Sequence, residues 1–137
     1  MKRTPYLLLV LALSLFALGI SAAVSAEHHV NARLQPVNGS GISGMVELTA
    51  LPNGGTQISG QISGLQPGTE YLSLYYENHT CELEPYSEDD IIARYTANSA
   101  GRATFSTKAD DDLDEINSIS VRLASDFSLK ACADTHP

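Results

Sequence analysis

The sequence predicts an all-β domain: an antiparallel sandwich or Greek-key barrel of about eight short strands. Three observations predict it. Apolar residues recur at every second position in short runs. Those runs are separated at short, regular spacing by turn signals rich in Gly, Pro and Asn. No segment beyond residue 26 carries the period of an amphipathic helix.

The first strand opens at Val30–Leu34, and Pro36-Val37-Asn38-Gly39-Ser40-Gly41 closes it with a loop. Ile42–Ala50 then alternates, with Val46, Leu48 and Ala50 on one face and Glu47 and Thr49 on the other. Pro52-Asn53-Gly54-Gly55 is a hairpin turn. Thr56–Ser63 sets Ile58, Gly60 and Ile62 together, and a glycine in mid-strand signals a bulge or a close backbone approach. The turn Leu65-Gln66-Pro67-Gly68 leads into a strand over Glu70–Glu77. Ile91–Tyr95 is short and β-branched, and Asn98-Ser99-Ala100-Gly101 turns the chain into Arg102–Thr107. Asp110–Glu115 reads as an acidic loop; its calcium reading is set aside because an EF-hand glycine and closing glutamate are missing. Ile116–Leu123 groups Ile119, Val121 and Leu123, and Phe127–Ala133 ends the fold with Cys132 in or beside a strand.

Residues 1–26 read as a secretory signal peptide. Lys2 and Arg3 precede the apolar run Leu7–Ile20, and Val24-Ser25-Ala26 is a small-residue cleavage site. The run is short for a membrane span. The domain is then 27–137, secreted or periplasmic, with no membrane association after cleavage. The whole chain has a net charge of -8, and removing Lys2 and Arg3 takes it to about -10. Nucleic acids and anionic membrane surfaces are thereby disfavoured, since both require clustered cations. Cys81 and Cys132 remain, and in an exported small domain they are expected to pair. Such a bridge closes about fifty residues and contributes about 3–4 kcal/mol in the chain-entropy account.

Gly64-Leu65-Gln66-Pro67-Gly68-Thr69-Glu70-Tyr71 has the turn of a fibronectin type III domain, with Tyr71 placed to return its hydroxyl to the preceding loop. In that family most of the domain precedes this corner, whereas here fewer than forty mature residues do and nearly seventy follow. The order instead resembles the Cu/Zn superoxide dismutase family. Gly64-Leu65-x-x-Gly68 is similar to that family's Gly-Leu-x-x-Gly turn. Cys81 falls where its first disulfide cysteine does. Thr96-Ala97-Asn98-x-x-Gly101-x-Ala103 resembles its Thr-Ala-Asp/Asn hairpin, and Leu129-Lys130-Ala131-Cys132-Ala133 its C-terminal Arg-Leu-Ala-Cys-Gly. The resemblance spans essentially the whole mature chain. It implies an eight-stranded Greek-key β-barrel with a Cys81–Cys132 disulfide.

It does not extend to the metal ligands. Where the family's strand reads His-Gly-Phe-His-x-His, this chain reads Glu70-Tyr71-Leu72-Ser73-Leu74-Tyr75. On that alignment Leu72 and Leu74 take the inward positions, and Ser73 and Tyr75 the outward positions of two copper histidines. Copper favours nitrogen and sulfur donors, which Ser and Tyr do not supply. Cys81–Asp90 is too short for the family's zinc loop and contains no histidine. The late copper histidine would fall near Val121-Arg122, the active-site arginine aligns with Leu129, and the long electrostatic loop is absent. The expectation is therefore a non-catalytic, superoxide-dismutase-like binding or structural module with no cofactor in the dismutase site. Its partner would be an unidentified protein or small ligand, met at a face that includes Ser73, Tyr75 and Tyr86 among the clustered tyrosines.

A second possibility is an extracytoplasmic copper-binding protein. Cleavage after Ala26 leaves Glu27-His28-His29 at the N-terminus. A free amine, two deprotonated amides and the imidazole of His29 form a square-planar set suited to Cu(II), with His28 a further donor. His79 and His136 read as surface residues without a role. Asn38-Gly39-Ser40 and Asn78-His79-Thr80 fit the glycosylation acceptor pattern, relevant only in a eukaryotic secretory route.

Overall fold

The structure is a computed structural model and describes residues 28–85 and 90–137. The expected leader, Glu27 and Tyr86 lie outside the described residues. Eight antiparallel strands form one sheet curled into a nearly closed barrel: β1 (His29–Pro36), β2 (Ser43–Ala50), β3 (Thr56–Ser63), β4 (Glu70–Tyr76), β5 (Ile91–Thr96), β6 (Ala103–Ala109), β7 (Ser118–Leu123) and β8 (Leu129–Asp134). The sheet order is β5-β4-β7-β8-β1-β2-β3-β6. β3 pairs with β6, and β4 with β7, so two connections cross the barrel ends in Greek-key fashion. The acidic segment is a loop apart from one 3-10 turn at Leu113–Glu115, with Asp112 and Glu115 capping each other's backbone.

The turns form where the sequence demands them. Gly64 sits at φ +76°, and a Cβ there would meet the Gly41 carbonyl oxygen at 2.2 Å. The Tyr71 hydroxyl accepts the Gln66 N–H at 3.0 Å, so the tyrosine corner is formed. The mid-strand Gly60 is a close approach: it pairs with Phe105, whose ring lies 2.4 Å from where a Cβ would stand. That ring stacks on Tyr95 at 5.7 Å. The stack spans the one seam without a ladder among the described strands, between β5 and β6.

The barrel interior holds Leu34, Val46, Leu48, Ile58, Ile62, Ile116, Ile119 and Val121. In β2 and β3 buried and more exposed positions alternate, as for strands with one face in water. β4 and β7 differ: every residue from Tyr71 to Tyr76 and from Ser118 to Arg122 is buried. A second apolar cluster, Leu72, Leu74, Tyr76 and Cys81, lies on their outer side with Phe127, Leu129 and Cys132. Cys81 and Cys132 form a disulfide, which ties the segment after β4 across this outer face to β8.

Candidate functional site

The β4 alternation is the reverse of the expected one. Tyr71 and Tyr75 belong to the barrel core, and Leu72 and Leu74 to the outer cluster. Ser73 has no exposure, and Tyr75 only 9 %. Both faces of β4 are covered, so apolar residues mark neither as inward. The ladder settles the matter: Ser73 pairs with the core residue Val121, and Leu72 with Arg122. A surface patch built on Ser73 and Tyr75 is therefore not available as expected. The Ser73 hydroxyl is 2.8 Å from the Tyr95 hydroxyl. Burial pushes the Tyr95 phenol well above its ordinary range, against the pull of that hydrogen bond. Tyr75 keeps one polar edge at the barrel rim. Burial, and then the carboxylates of Asp111 and Asp90, push its phenol up as well. The hydroxyl borders a cleft of ≈ 370 Å³ with Glu77, Glu84, Asp90 and Asp111.

The outer face of β4 is organised by Arg122, a residue the sequence gave little reason to single out. Its guanidinium is 6 % exposed. Nε donates to the Tyr76 hydroxyl at 2.9 Å, Nη1 to the Phe127 carbonyl at 2.7 Å and Nη2 to the Cys81 carbonyl at 2.8 Å. The Tyr76 hydroxyl also meets Ser120 at 2.8 Å. A buried cation requires such satisfaction, and here neutral oxygens provide it. The signal for it was a lone arginine within the apolar run Ile119–Leu123.

The segment across this face, 77–85, is tied at several points. Ser118 Oγ donates to the Asn78 carbonyl at 2.6 Å and accepts the Cys81 N–H at 3.2 Å. Asn117 donates to the Glu77 carbonyl at 2.7 Å. The Asn78 side chain folds the strap on itself, donating to the Glu82 carbonyl at 2.8 Å and accepting the N–H of Thr80 and of Glu82 at 3.0 Å. The amide that would accept a glycan is thus already engaged. His79 Nδ1 lies 2.8 Å from Asp134 Oδ1, joining strap to β8 beside the disulfide.

The histidines gather at the other candidate region. His28, His29 and His136, three of the four in the chain, line one cleft of ≈ 560 Å³ with Asp112, Leu113 and Asp114. His29 itself begins β1, and its ring contacts Thr49 Oγ1 at 3.0 Å and Asn31 at 3.2 Å. An amine-terminal chelate would have to release that Thr49 contact, because its ring donor is Nδ1, the atom engaged there. Among the described residues no three His, Cys, Asp or Glu side chains stand close enough to hold one metal ion. Searches for similar proteins find no matching family model and no matching curated protein.

Proposed function

We propose that this chain is an exported, superoxide-dismutase-like barrel that has become a non-catalytic binding or structural module. The carrying observation is the content of the β4–β7 outer face. Alternation now assigns Leu72, Leu74 and Arg122 to the side that lies under the disulfide-tied strap, where the family resemblance would set its copper ligands. Two are aliphatic, and the third is a cation whose donors are already used. None can serve as a nitrogen ligand to copper. The Greek-key order, the tyrosine corner and the Cys81–Cys132 bridge support the kinship. Calorimetric titration of Cu(II) into a chain with all four histidines changed to Ala tests this reading. It predicts no stoichiometric copper site, and a tight one would overturn it.

The second reading, copper binding at Glu27-His28-His29, is favoured by one observation: both of its histidines border a cleft in an acidic molecule. It predicts Cu(II) binding that is lost in His29→Ala. Equal affinity in variant and wild type would sink it.

A further inference from the structure

We propose that the histidine cleft is itself a side-chain site for an imidazole-preferring divalent cation of the Zn(II) or Cu(II) class, held by His28, His136 and the Asp114 carboxylate. The site goes beyond the amine-terminal reading: it requires neither a free amine nor His29, and so does not depend on where the leader is cut.

The fold brings the donors together from both ends of the chain. The β1–β2 ladder continues past the start of β1, because the His28 carbonyl accepts the Ala50 N–H at 2.9 Å. By strand alternation His28 then shares a side with Val30, while His29 turns to the outer surface with Asn31, its hydrogen-bond partner. His136 follows β8 and is fixed to the same barrel end. Its backbone N–H donates to Asp134 at 3.1 Å, and its Nε2 lies 3.0 Å from the Leu113 carbonyl.

That last contact specifies the ring's chemistry. A carbonyl only accepts, so Nε2 carries the proton and Nδ1 keeps its lone pair. An imidazole braced through one N–H on a backbone carbonyl, with the other nitrogen free to donate, is the arrangement found in metal-ligating histidines. The same 3-10 turn that supplies the Leu113 carbonyl carries Asp114, an exposed carboxylate on the cleft wall. Asp112 is less suited to ligation, since one of its oxygens already accepts the Gly55 N–H at 3.1 Å. Imidazole nitrogen with one carboxylate oxygen suits Zn(II) and Cu(II) better than the all-oxygen cations. The net charge of -8 favours cation approach. As described, the donors line the cleft without converging. Two of them, His28 and Asp114, are exposed side chains free to turn onto an ion against the braced His136.

Calorimetric titration of Zn(II) into the leader-free chain tests the site, with His28→Ala, His136→Gln, His29→Ala and His79→Ala alongside. Glutamine at 136 retains an N–H for the Leu113 carbonyl, and an unchanged thermal midpoint verifies that the fold is kept. One equivalent of Zn(II) is expected to bind, weakened at least about tenfold by His28→Ala and by His136→Gln. His29→Ala and His79→Ala should leave it unchanged. Absence of Zn(II) binding, or indifference to His136→Gln, overturns the proposal. Dependence on His29 would overturn it too, marking the amine-terminal chelate instead. Failure of that chelate alone would show as His29-independent Cu(II) binding and would leave the Zn(II) result standing.

Discussion

The two halves of the barrel treat their outer faces in opposite ways. On the β1-β2-β3-β6 half, outward side chains such as Asn31, Arg33, Glu47, Gln61 and Lys108 stand in water. On the β4-β7-β8 half, the outward side is a second small core of Leu72, Leu74 and Tyr76, roofed by the disulfide-tied strap around the buried Arg122. The difference shows what the strap does. It turns two half-exposed strands into strands buried on both faces, and so fills the space in which a site could otherwise have opened.

Four changes sharpen or break this comparison. The largest effect is expected from removing the tie. Cys81→Ser with Cys132→Ser should cost about 3–4 kcal/mol in denaturant unfolding, because the loop it closes is long. A loss below about 1 kcal/mol would mean that the strap holds without its bridge. Next come matched truncations on the two outer faces. Leu74→Ala should cost about 2–4 kcal/mol as a core deletion. Met45→Ala, at a position 45 % exposed on the other half, should cost under about 0.5 kcal/mol. Similar costs for the two would erase the distinction between the halves.

Smaller effects test the hydroxyl contacts. Ser73→Ala removes the partner of Tyr95 and should cost about 1 kcal/mol. Tyr75 and Tyr95 are held protonated above the ordinary value of 10.0. The stability they contribute is therefore complete below that pH and is lost as pH rises beyond it toward their raised values. Absorbance titration of Tyr75→Phe and Tyr95→Phe against wild type should show both phenols ionising late. Ionisation at the ordinary pH would refute their burial. The smallest effect lies at the strap's exposed clip. The His79 hydrogen bond holds the Asp134 carboxyl below its ordinary 3.8. Its contribution is present above that pH and fades as pH falls through the lowered value, and it is slight because the pair is solvent-screened. Asp134→Asn should flatten only that acid limb of the stability curve; an unchanged limb would show that the clip contributes nothing.

Much of the fold was legible in the residues. Thr56–Ser63 matches β3 at both ends because period-two patterning and flanking glycines agree there. The tyrosine corner and the disulfide were legible because Tyr71 and the cysteine pair each have one obvious use. The facing of β4 was not. Alternation informs only when one side is wet, and here serine and tyrosine line the interior while leucines line the covered exterior. The role of Arg122 was hidden for the same reason, since its partners are carbonyls brought from distant loops. His136, read as an idle tail residue, meets the N-terminal histidines only through the closure of β1 on β8 at Gln35–Cys132 and Pro36–Ala131.

The central claim is that this barrel keeps a dismutase-like frame while its covered face holds leucine and arginine where metal ligands would stand. Superoxide turnover by the leader-free protein after equilibration with Cu(II) and Zn(II), with excess metal removed, tests it most directly. The account predicts no turnover in a variant lacking His28, His29 and His136, which removes both terminal metal readings and leaves the covered face intact. Substantial metal-dependent turnover in that variant would contradict it.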